Sequence, residues 1–290
     1  MTGPPASDRF RKLDAYRAHR EWARYEGTPQ RDLFREIRER FLERHASLGG
    51  WVLDVGSGPG RFLPFLGPQG AHRVALDVSR EMLGLIPGAW AATGREDPLP
   101  DRVLGDATRP PLEPGRWSEV VVLGNTLGFS VSAADQILES MLELVAPGGE
   151  LVVEIAPSAG ERSRYLGRLP PSGVGRLLRS PVRAILARLD REGFEAETLR
   201  HDAGDSFRRI SSREIHHRFE RAGWQVTEEV AVAPSLGPDA IRIAAVRPDA
   251  KAWGHLLELE ETVGRRPERH EHAAALLVAA RRPSSTSMIK

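Results

Sequence analysis

The feature that most constrains this chain is a glycine-rich segment, D-V-G-S-G-P-G at residues 54–60, which directly follows an apolar stretch. The apolar residues 51–55 predict a short buried strand. The glycines allow a tight turn, and they let backbone amides approach a ligand without intervening side chains. We expect a helix to begin near Arg61 and Phe62, which would make the unit a strand–turn–helix of the kind that binds nucleotides.

The spacing of the glycines separates two kinds of nucleotide site. A dinucleotide fingerprint is G-x-G-x-x-G, and its third glycine, counted from Gly56, would fall on Arg61. The pattern here is instead D-x-G-x-G-x-G, with Asp54 two residues before the first glycine. A carboxylate at that position repels a pyrophosphate and suits a cationic ligand group.

Apolar strands alternate with helical patterns on both sides of the glycine segment. Predicted strands are residues 51–55, 73–77, 102–105, 119–123, 150–155 and 224–232, and residues 273–280 fit a strand or a helix. The clearest predicted helices begin at the Thr28-Pro29 cap, at Ala133 and at the Ser211/Glu214 capping box. This alternation predicts an α/β fold with a mostly parallel sheet covered by helices on both faces.

Two further acids follow the next two predicted strands. Asp77 lies 21 residues after Gly56, a distance at which an acid can accept hydrogen bonds from ribose hydroxyls. Asp106 follows the third strand and can accept from the exocyclic amine of adenine. Asp54, Asp77 and Asp106 thus stand at three neighbouring strand ends and match three donor groups of one ligand.

These motifs resemble those of the class I S-adenosylmethionine-dependent methyltransferases. The matching segments, in chain order, are D-V-G-S-G-P-G at 54–60, D-V-S-R-E-M-L at 77–83, G-D-A at 105–107, G-N-T-L-G-F at 124–129 and A-P-G-G-E-L-V-V at 146–153. Residues 207–226 resemble the closing helix and sixth strand of the family. The resemblance covers roughly residues 50–157 and 207–281.

The resemblance implies a three-layer Rossmann-like sandwich with seven strands, the last (273–280) antiparallel, plus a helical cap. It implies S-adenosylmethionine as the methyl donor and S-adenosylhomocysteine as the product, without a metal. It also implies a set of cofactor-binding residues, namely Asp54, Gly56, Ser57, Gly58, Gly60, Asp77, Val78, Met82, Asp106, Ala107, Asn125 and Thr126.

The domain organisation follows from where the alternation breaks. We expect residues 1–48 to form N-terminal helices that act as a lid, and residues 49–158 and 210–282 to form the methyltransferase domain. Residues 159–209 contain 11 arginines and are expected to form a cap insertion, and residues 283–290 a disordered tail.

The motifs do not identify the residues that would bind the methyl acceptor. The weak catalytic candidates are Tyr25, Asn125 and His201, and the weak substrate-binding candidates are Tyr16, Arg31 and Arg164. Each has a plainer interpretation as a packing, turn or surface residue. No H-E-x-x-H pattern occurs, so no metal site is expected.

Composition narrows the function classes. The absence of cysteine excludes thiolate metal sites and covalent cysteine catalysis. A net charge of +1 indicates no global attraction to nucleic acid. No apolar run suits a signal peptide or a membrane span, so a cytoplasmic protein is expected.

Three hypotheses stay open at this stage. The first is O- or N-methylation of a small molecule. The second is RNA methylation that uses the arginine-rich insertion. The third is a cofactor-binding partner or sensor without transfer activity. No D/N/S-P-P-F/Y/W motif follows the fourth strand, which argues against methylation of a base or glutamine amino group, and the oligomeric state is not predicted.

Overall fold

The computed structural model describes residues 27–46, 48–124, 126–129, 133–157, 161–164, 166, 169–192, 197–200, 208–236, 239–273 and 275–284. Its helices are α1 (Pro29–His45), α2 (Arg80–Ala92), α3 (Thr126–Phe129), α4 (Ala134–Leu144), α5 (Pro171–Leu177), α6 (Val182–Glu192), α7 (Ser212–Arg221), α8 (Ala240–Val246) and α9 (Ala250–Gly264). Its strands are β1 (Trp51–Val55), β2 (His72–Asp77), β3 (Asp101–Leu104), β4 (Trp117–Val122), β5 (Val145–Ile155), β6 (Glu161–Arg164), β7 (Glu197–Arg200), β8 (Gln225–Ala231) and β9 (Leu276–Arg281).

Seven strands form one sheet in the order β3-β2-β1-β4-β5-β9-β8. The pairs among β1 to β5 are parallel, and β9 pairs antiparallel with both β5 and β8. This confirms the predicted seven-stranded sheet with an antiparallel last strand, and it settles residues 273–280 as mainly strand. Strands β6 and β7 form a separate two-stranded antiparallel sheet that the sequence analysis did not predict.

The hydrophobic core lies in two layers, one on each face of the sheet. One layer contains residues of α1, α2 and α9, including Ile37, Phe41, Ile86, Trp253 and Leu256. The other contains residues of α4 and α7, including Ile137, Met141, Ile215 and Phe219. The α/β sandwich with helices on both faces is therefore confirmed.

Helix α1 begins as predicted and runs antiparallel to β5. Thr28 has an extended backbone, and its side chain accepts a hydrogen bond from the Arg31 N–H, so it caps the helix before Pro29. The earlier helix residue Arg38 meets the later strand residue Glu154, and His45 meets Glu150. Arg38 and His45 are seven residues apart on the helix, about 10 Å, and Glu154 and Glu150 are four residues apart on the strand, about 13 Å. The two distances are similar, so both pairs can form between the same two elements.

The predicted helix near Arg61 and Phe62 is wrong. A single 3-10 turn, Leu63–Phe65, stands in its place. Leu66 is already extended, and Gly67 adopts a left-handed φ of 60° directly before Pro68. The α region is disfavoured for a residue that precedes proline, so a helix cannot continue through Gly67. The stretch between the glycine loop and Gly67 is therefore too short for a regular helix.

The described part of the insertion packs on the helices that follow β8. Val174, Leu178 and Ile185 of this part are buried in the same core layer as Trp253 of α9. The His255 ring nitrogen Nδ1 lies 2.7 Å from the Leu178 carbonyl oxygen. Helices α5 and α6 are thus anchored by apolar contacts, while the division into lid, domain and cap stays a prediction.

The Ser211 cap at the start of α7 is present, since the Ser211 side chain accepts from the Glu214 N–H. The Glu214 carboxylate pairs with Arg208 at 2.8 Å. Among the helices that the structure describes, none has both the length and the apolar character needed to cross a bilayer.

Candidate cofactor site

The glycine loop leaves the carboxyl end of β1 and is held against the end of β2. The N–H groups of Gly56 and Ser57 donate to the Leu76 carbonyl oxygen at 2.8 and 3.2 Å. Gly56, Gly58 and Gly60 have φ values of 66°, 55° and 77°, which is the left-handed region that favours glycine. The loop conformation therefore explains why glycine occupies all three positions.

The surroundings of the three glycines differ. A Cβ atom on Gly56 would lie 2.5 Å from Thr126 Oγ1, so the loop after β4 presses against this residue. A Cβ atom on Gly60 would lie 2.7 Å from Leu63 Cδ1. A Cβ atom on Gly58 would meet nothing within 4 Å. Of these three glycines, Gly58 is therefore the one at which the loop faces open space.

Asp77, the last residue of β2, ties the glycine loop to helix α2. Its Oδ2 accepts from the Gly58 N–H at 2.8 Å, and its Oδ1 accepts from the Ser79 N–H at 2.8 Å. Ser79 in turn caps α2 by accepting from the N–H of the buried Met82. The carboxylate is half-buried at the strand end.

Asp54 is buried in β1 beneath the loop and is 3 % exposed. Ser57 Oγ donates to its Oδ2 at 2.6 Å. Burial raises the pKa of Asp54 to about 7; the Ser57 hydrogen bond opposes this rise, and the charge of Asp77 adds to it. A cation above the loop would favour the ionised form of this carboxyl.

Asp106 follows β3 at the same edge of the sheet. Its Oδ1 accepts from both the N–H and the hydroxyl of Thr108 at 2.9 Å, which forms a local turn. The preceding Gly105 is tightly enclosed, since an added Cβ would lie 2.7 Å from Pro111 Cδ. The turn role of Asp106 is therefore observed, and the neighbouring Ala107 is half-buried.

The loop after β4 lies at the same carboxyl end of the sheet, next to the glycine loop. Thr126 Oγ1 donates to the Leu123 carbonyl oxygen at 2.7 Å and begins the short helix α3. Gly124 has a φ of 67°, and its N–H donates to Glu154 Oε2 at 3.3 Å. Asn125, predicted at both the cofactor and the catalytic site, lies outside the described residues.

Most of the predicted acceptor-site candidates lie outside the described residues, so the acceptor site stays a prediction. Tyr16, Tyr25 and His201 lie outside the described residues, as does the side chain of Arg164. Arg31 is exposed on the first turn of α1, where its N–H donates to Thr28. Within the described ranges, no three His, Asp or Glu side chains gather as a metal site.

Sequence reasoning missed a buried ion pair beside the candidate site. Arg38 of α1 and Glu154 of β5 are joined by two hydrogen bonds of 2.8 and 2.7 Å, with side chains only 8 % and 5 % exposed. Two signals were available in the sequence. Glu154 interrupts the apolar run of β5, and Arg38 lies on the buried stripe of α1 next to Ile37.

Comparison with known proteins agrees with this architecture. A family described as methyltransferase domain matches residues 22–229, which is most of the chain. No curated protein sequence matches the chain.

Three solved structures share the fold at low sequence identity. Magnesium protoporphyrin IX methyltransferase from Synechocystis PCC 6803, solved with bound S-adenosylhomocysteine, is 12 % identical with a TM-score of 0.55, covering 95 % of this chain and 99 % of that one. A chain from the complex of the Haloferax volcanii Trm112 methyltransferase activator with a methyltransferase is 18 % identical with a TM-score of 0.50, covering 93 % and 96 %. The [4+2]-cyclase SpnF is 15 % identical with a TM-score of 0.50, covering 86 % and 81 %.

The sheet order, the antiparallel last strand and the glycine loop at the end of β1 define a class I methyltransferase fold. The chain belongs to the methyltransferase-domain family, whose cofactor is S-adenosylmethionine.

Proposed function

We propose that this protein transfers the methyl group of S-adenosylmethionine to an oxygen or nitrogen atom of a small molecule. The observation that carries the proposal is the contact between Asp77 and Gly58. The carboxylate holds the one loop glycine that faces open space, so a nucleoside-binding acid and a ligand-accessible backbone lie side by side.

Each cofactor-site residue has a role in this proposal. Asp77 would accept from the ribose hydroxyls. Asp106 would accept from the adenine amine, and Met82 would pack beside the base. Asp54 lies below the loop and would stabilise the ammonium group of the methionine part. The loop after β4, which begins at Gly124 and contacts the glycine loop through Thr126, would border that same part.

The chemistry places modest demands on these residues. S-adenosylmethionine supplies a methyl group on a sulfonium, which is already activated for in-line displacement. The chain has to orient the two reactants and exclude water. A general base is needed only where the acceptor arrives protonated, and no described side chain is assigned that role.

Charge pairing near the site supports a small molecule over RNA. The Arg208 N–H donates to the Gly128 carbonyl oxygen, which places this arginine beside the loop after β4. Its guanidinium pairs with Asp135 at 2.6 Å and Glu214 at 2.8 Å, and Arg218 also pairs with Asp135. These cations are neutralised by carboxylates, so they offer little attraction to a phosphate backbone.

Calorimetry with S-adenosylmethionine tests the cofactor half. We expect the wild type to bind and Asp77→Asn to bind more weakly by about tenfold or more, since a hydrogen bond to a charged group contributes about 1.5–3 kcal/mol. Asp97→Asn is the matched control, because Asp97 accepts a similar 2.8 Å hydrogen bond from a glycine N–H, that of Gly70, away from the site. Absent binding, or equal loss in both variants, would overturn the cofactor assignment.

A transfer assay tests the acceptor half. The protein is incubated with tritiated S-adenosylmethionine and either a metabolite fraction or an RNA fraction. Label in small molecules supports the proposal. Label in RNA, or no label despite cofactor binding, would overturn it in favour of RNA methylation or of a non-catalytic binding protein. The fold alone leaves this open, because the similar SpnF is described as a cyclase.

A further inference from the structure

The Arg38–Glu154 pair also contacts the loop that borders the candidate site. Glu154 Oε2 accepts from Arg38 Nε at 2.8 Å and from the Gly124 N–H at 3.3 Å. Arg38 is itself fixed, because its Nη1 donates to the Phe34 carbonyl oxygen at 2.7 Å. A continuous set of hydrogen bonds therefore leads from α1 through the end of β5 to Gly124, in the loop after β4.

That loop is held at a second point by van der Waals contact. The Thr126 side chain occupies the space that a Cβ atom on Gly56 would need, so Thr126 lies directly against the glycine turn. Gly124 has a left-handed φ, which favours glycine at this position. Its N–H is held by Glu154, and Thr126, two residues further along, lies against the glycine turn.

Stability alone does not account for a pair in this position. Replacing a buried ion pair by apolar residues of similar volume is often neutral or stabilising, because taking two charges out of water costs several kcal/mol per ion. Helix α1 and strand β5 share a second such contact, between His45 and Glu150, nearer the amino end of β5. Both contacts join the same two elements. The Arg38–Glu154 contact, near the carboxyl end of β5, also reaches the loop after β4.

We propose that Arg38 and Glu154 are positioning residues that set the backbone of Gly124, close after the end of β4, for cofactor binding. The inference rests on the proposed function, since the loop is taken to border S-adenosylmethionine. The residues act through the Gly124 backbone and need no contact with the ligand.

The experiment separates positioning from stability with three variants. Glu154→Leu should lower the stability in urea, because it removes the carboxylate partner of the buried Arg38. It should also raise the Kd for S-adenosylhomocysteine roughly three- to tenfold, as expected for the loss of the Gly124 hydrogen bond. The double variant Arg38→Met/Glu154→Leu should regain most of the stability yet keep the raised Kd, because it packs well but leaves Gly124 without its acceptor. His45→Gln is the control, and it should lower stability while leaving the Kd unchanged.

Hydrogen–deuterium exchange adds a readout at the loop itself. In the double variant, the peptide that contains Gly124 should exchange faster than in the wild type, and peptides of β1 should not. Wild-type affinity and unchanged exchange in the double variant would overturn the inference, as would an equal rise in Kd for His45→Gln. A wild type that binds neither S-adenosylmethionine nor S-adenosylhomocysteine would instead overturn the proposed function, and this inference with it.

Discussion

The backbone N–H of Gly58 donates a 2.8 Å hydrogen bond to the carboxylate of Asp77, and the α-carbon of Gly58 faces open space. We expect Gly58→Ala to fold with a cost of only about 1–2 kcal/mol, the strain of a left-handed alanine. Cofactor affinity should fall by about tenfold or more, since a misplaced methyl group costs about 1–3 kcal/mol. Calorimetry and urea unfolding on the same preparation measure both effects.

Gly60→Ala should lower the stability of the fold more than Gly58→Ala does. An added Cβ would lie 2.7 Å from Leu63 Cδ1 and 2.9 Å from Ile86 Cγ1, both of them buried side chains. Overpacking and left-handed strain together should cost roughly 2–4 kcal/mol of unfolding free energy. If Gly60→Ala proves as stable as Gly58→Ala, the contrast between the two positions is wrong.

Cofactor affinity should depend on pH through Asp54. Burial raises the pKa of this carboxyl to about 7, and the charge of Asp77 adds to the rise. An ammonium group above the loop favours the ionised form, so affinity should increase from pH 5.5 to 7.5, by at most about tenfold per pH unit. Asp54→Asn should flatten this profile, and a wild-type Kd that stays constant over the range would contradict the role of Asp54.

Stability should depend on pH through His45. Its ring nitrogens lie 2.9 Å from Glu150 Oε2 and 2.8 Å from Glu228 Oε2. Burial alone would lower the pKa of His45, but these two hydrogen bonds and carboxylate charges raise it to about 9. The folded pKa exceeds the unfolded value of 6.5, so the stabilisation is complete below pH 6.5 and is lost as pH rises through 9.

Unfolding titrations of the wild type and His45→Gln check this window. The difference between their unfolding free energies should shrink between pH 6.5 and 9, by at most about 1.4 kcal/mol per pH unit. A difference that stays the same from pH 6 to 9.5 would show that His45 is not charged in the folded protein.

Glu119 should destabilise the fold as pH rises. It is fully buried; its Oε2 accepts from the Gly67 N–H, and its Oε1 has no hydrogen-bond partner in the part of the chain that the structure describes. Burial raises the pKa of Glu119 to about 8, and the charge of Glu150 adds to the rise. The protonated form is therefore the favoured one, and ionisation between pH 4.5 and 8 opposes folding.

Glu119→Gln removes that ionisation and keeps a neutral side chain of the same shape. Relative to the wild type, its unfolding free energy should rise with pH between 4.5 and 8, at up to about 1.4 kcal/mol per pH unit. Thermal or urea unfolding at pH 5 and pH 8 measures the change. If the unfolding free energy of Glu119→Gln does not exceed that of the wild type at pH 8, Glu119 is not held protonated in the folded protein.

Local patterns predicted the sheet strands well because each carries its own signal. Apolar runs bounded by turn residues marked six of the seven strands, and the family resemblance implied the seventh. The Thr28-Pro29 pair marked the start of α1. The helix after the glycine loop was predicted wrongly, because the motif usually precedes a helix and the shortness imposed by Gly67 and Pro68 was overlooked. The two-stranded sheet of β6 and β7 was missed, since its polar strands show no apolar periodicity.

The sequence by itself predicted which end of the sheet carries the candidate cofactor site. The order of Asp54, the three loop glycines and Asp77 is local information, and parallel strands must bring their carboxyl ends to one edge of the sheet. Only the tertiary structure decided which charged residues meet across the fold. Arg38 and Glu154 are 116 positions apart, so no local pattern links them. Their contact depends on the packing of α1 along β5, which the hydrophobic faces of both elements produce only when the whole sheet has formed.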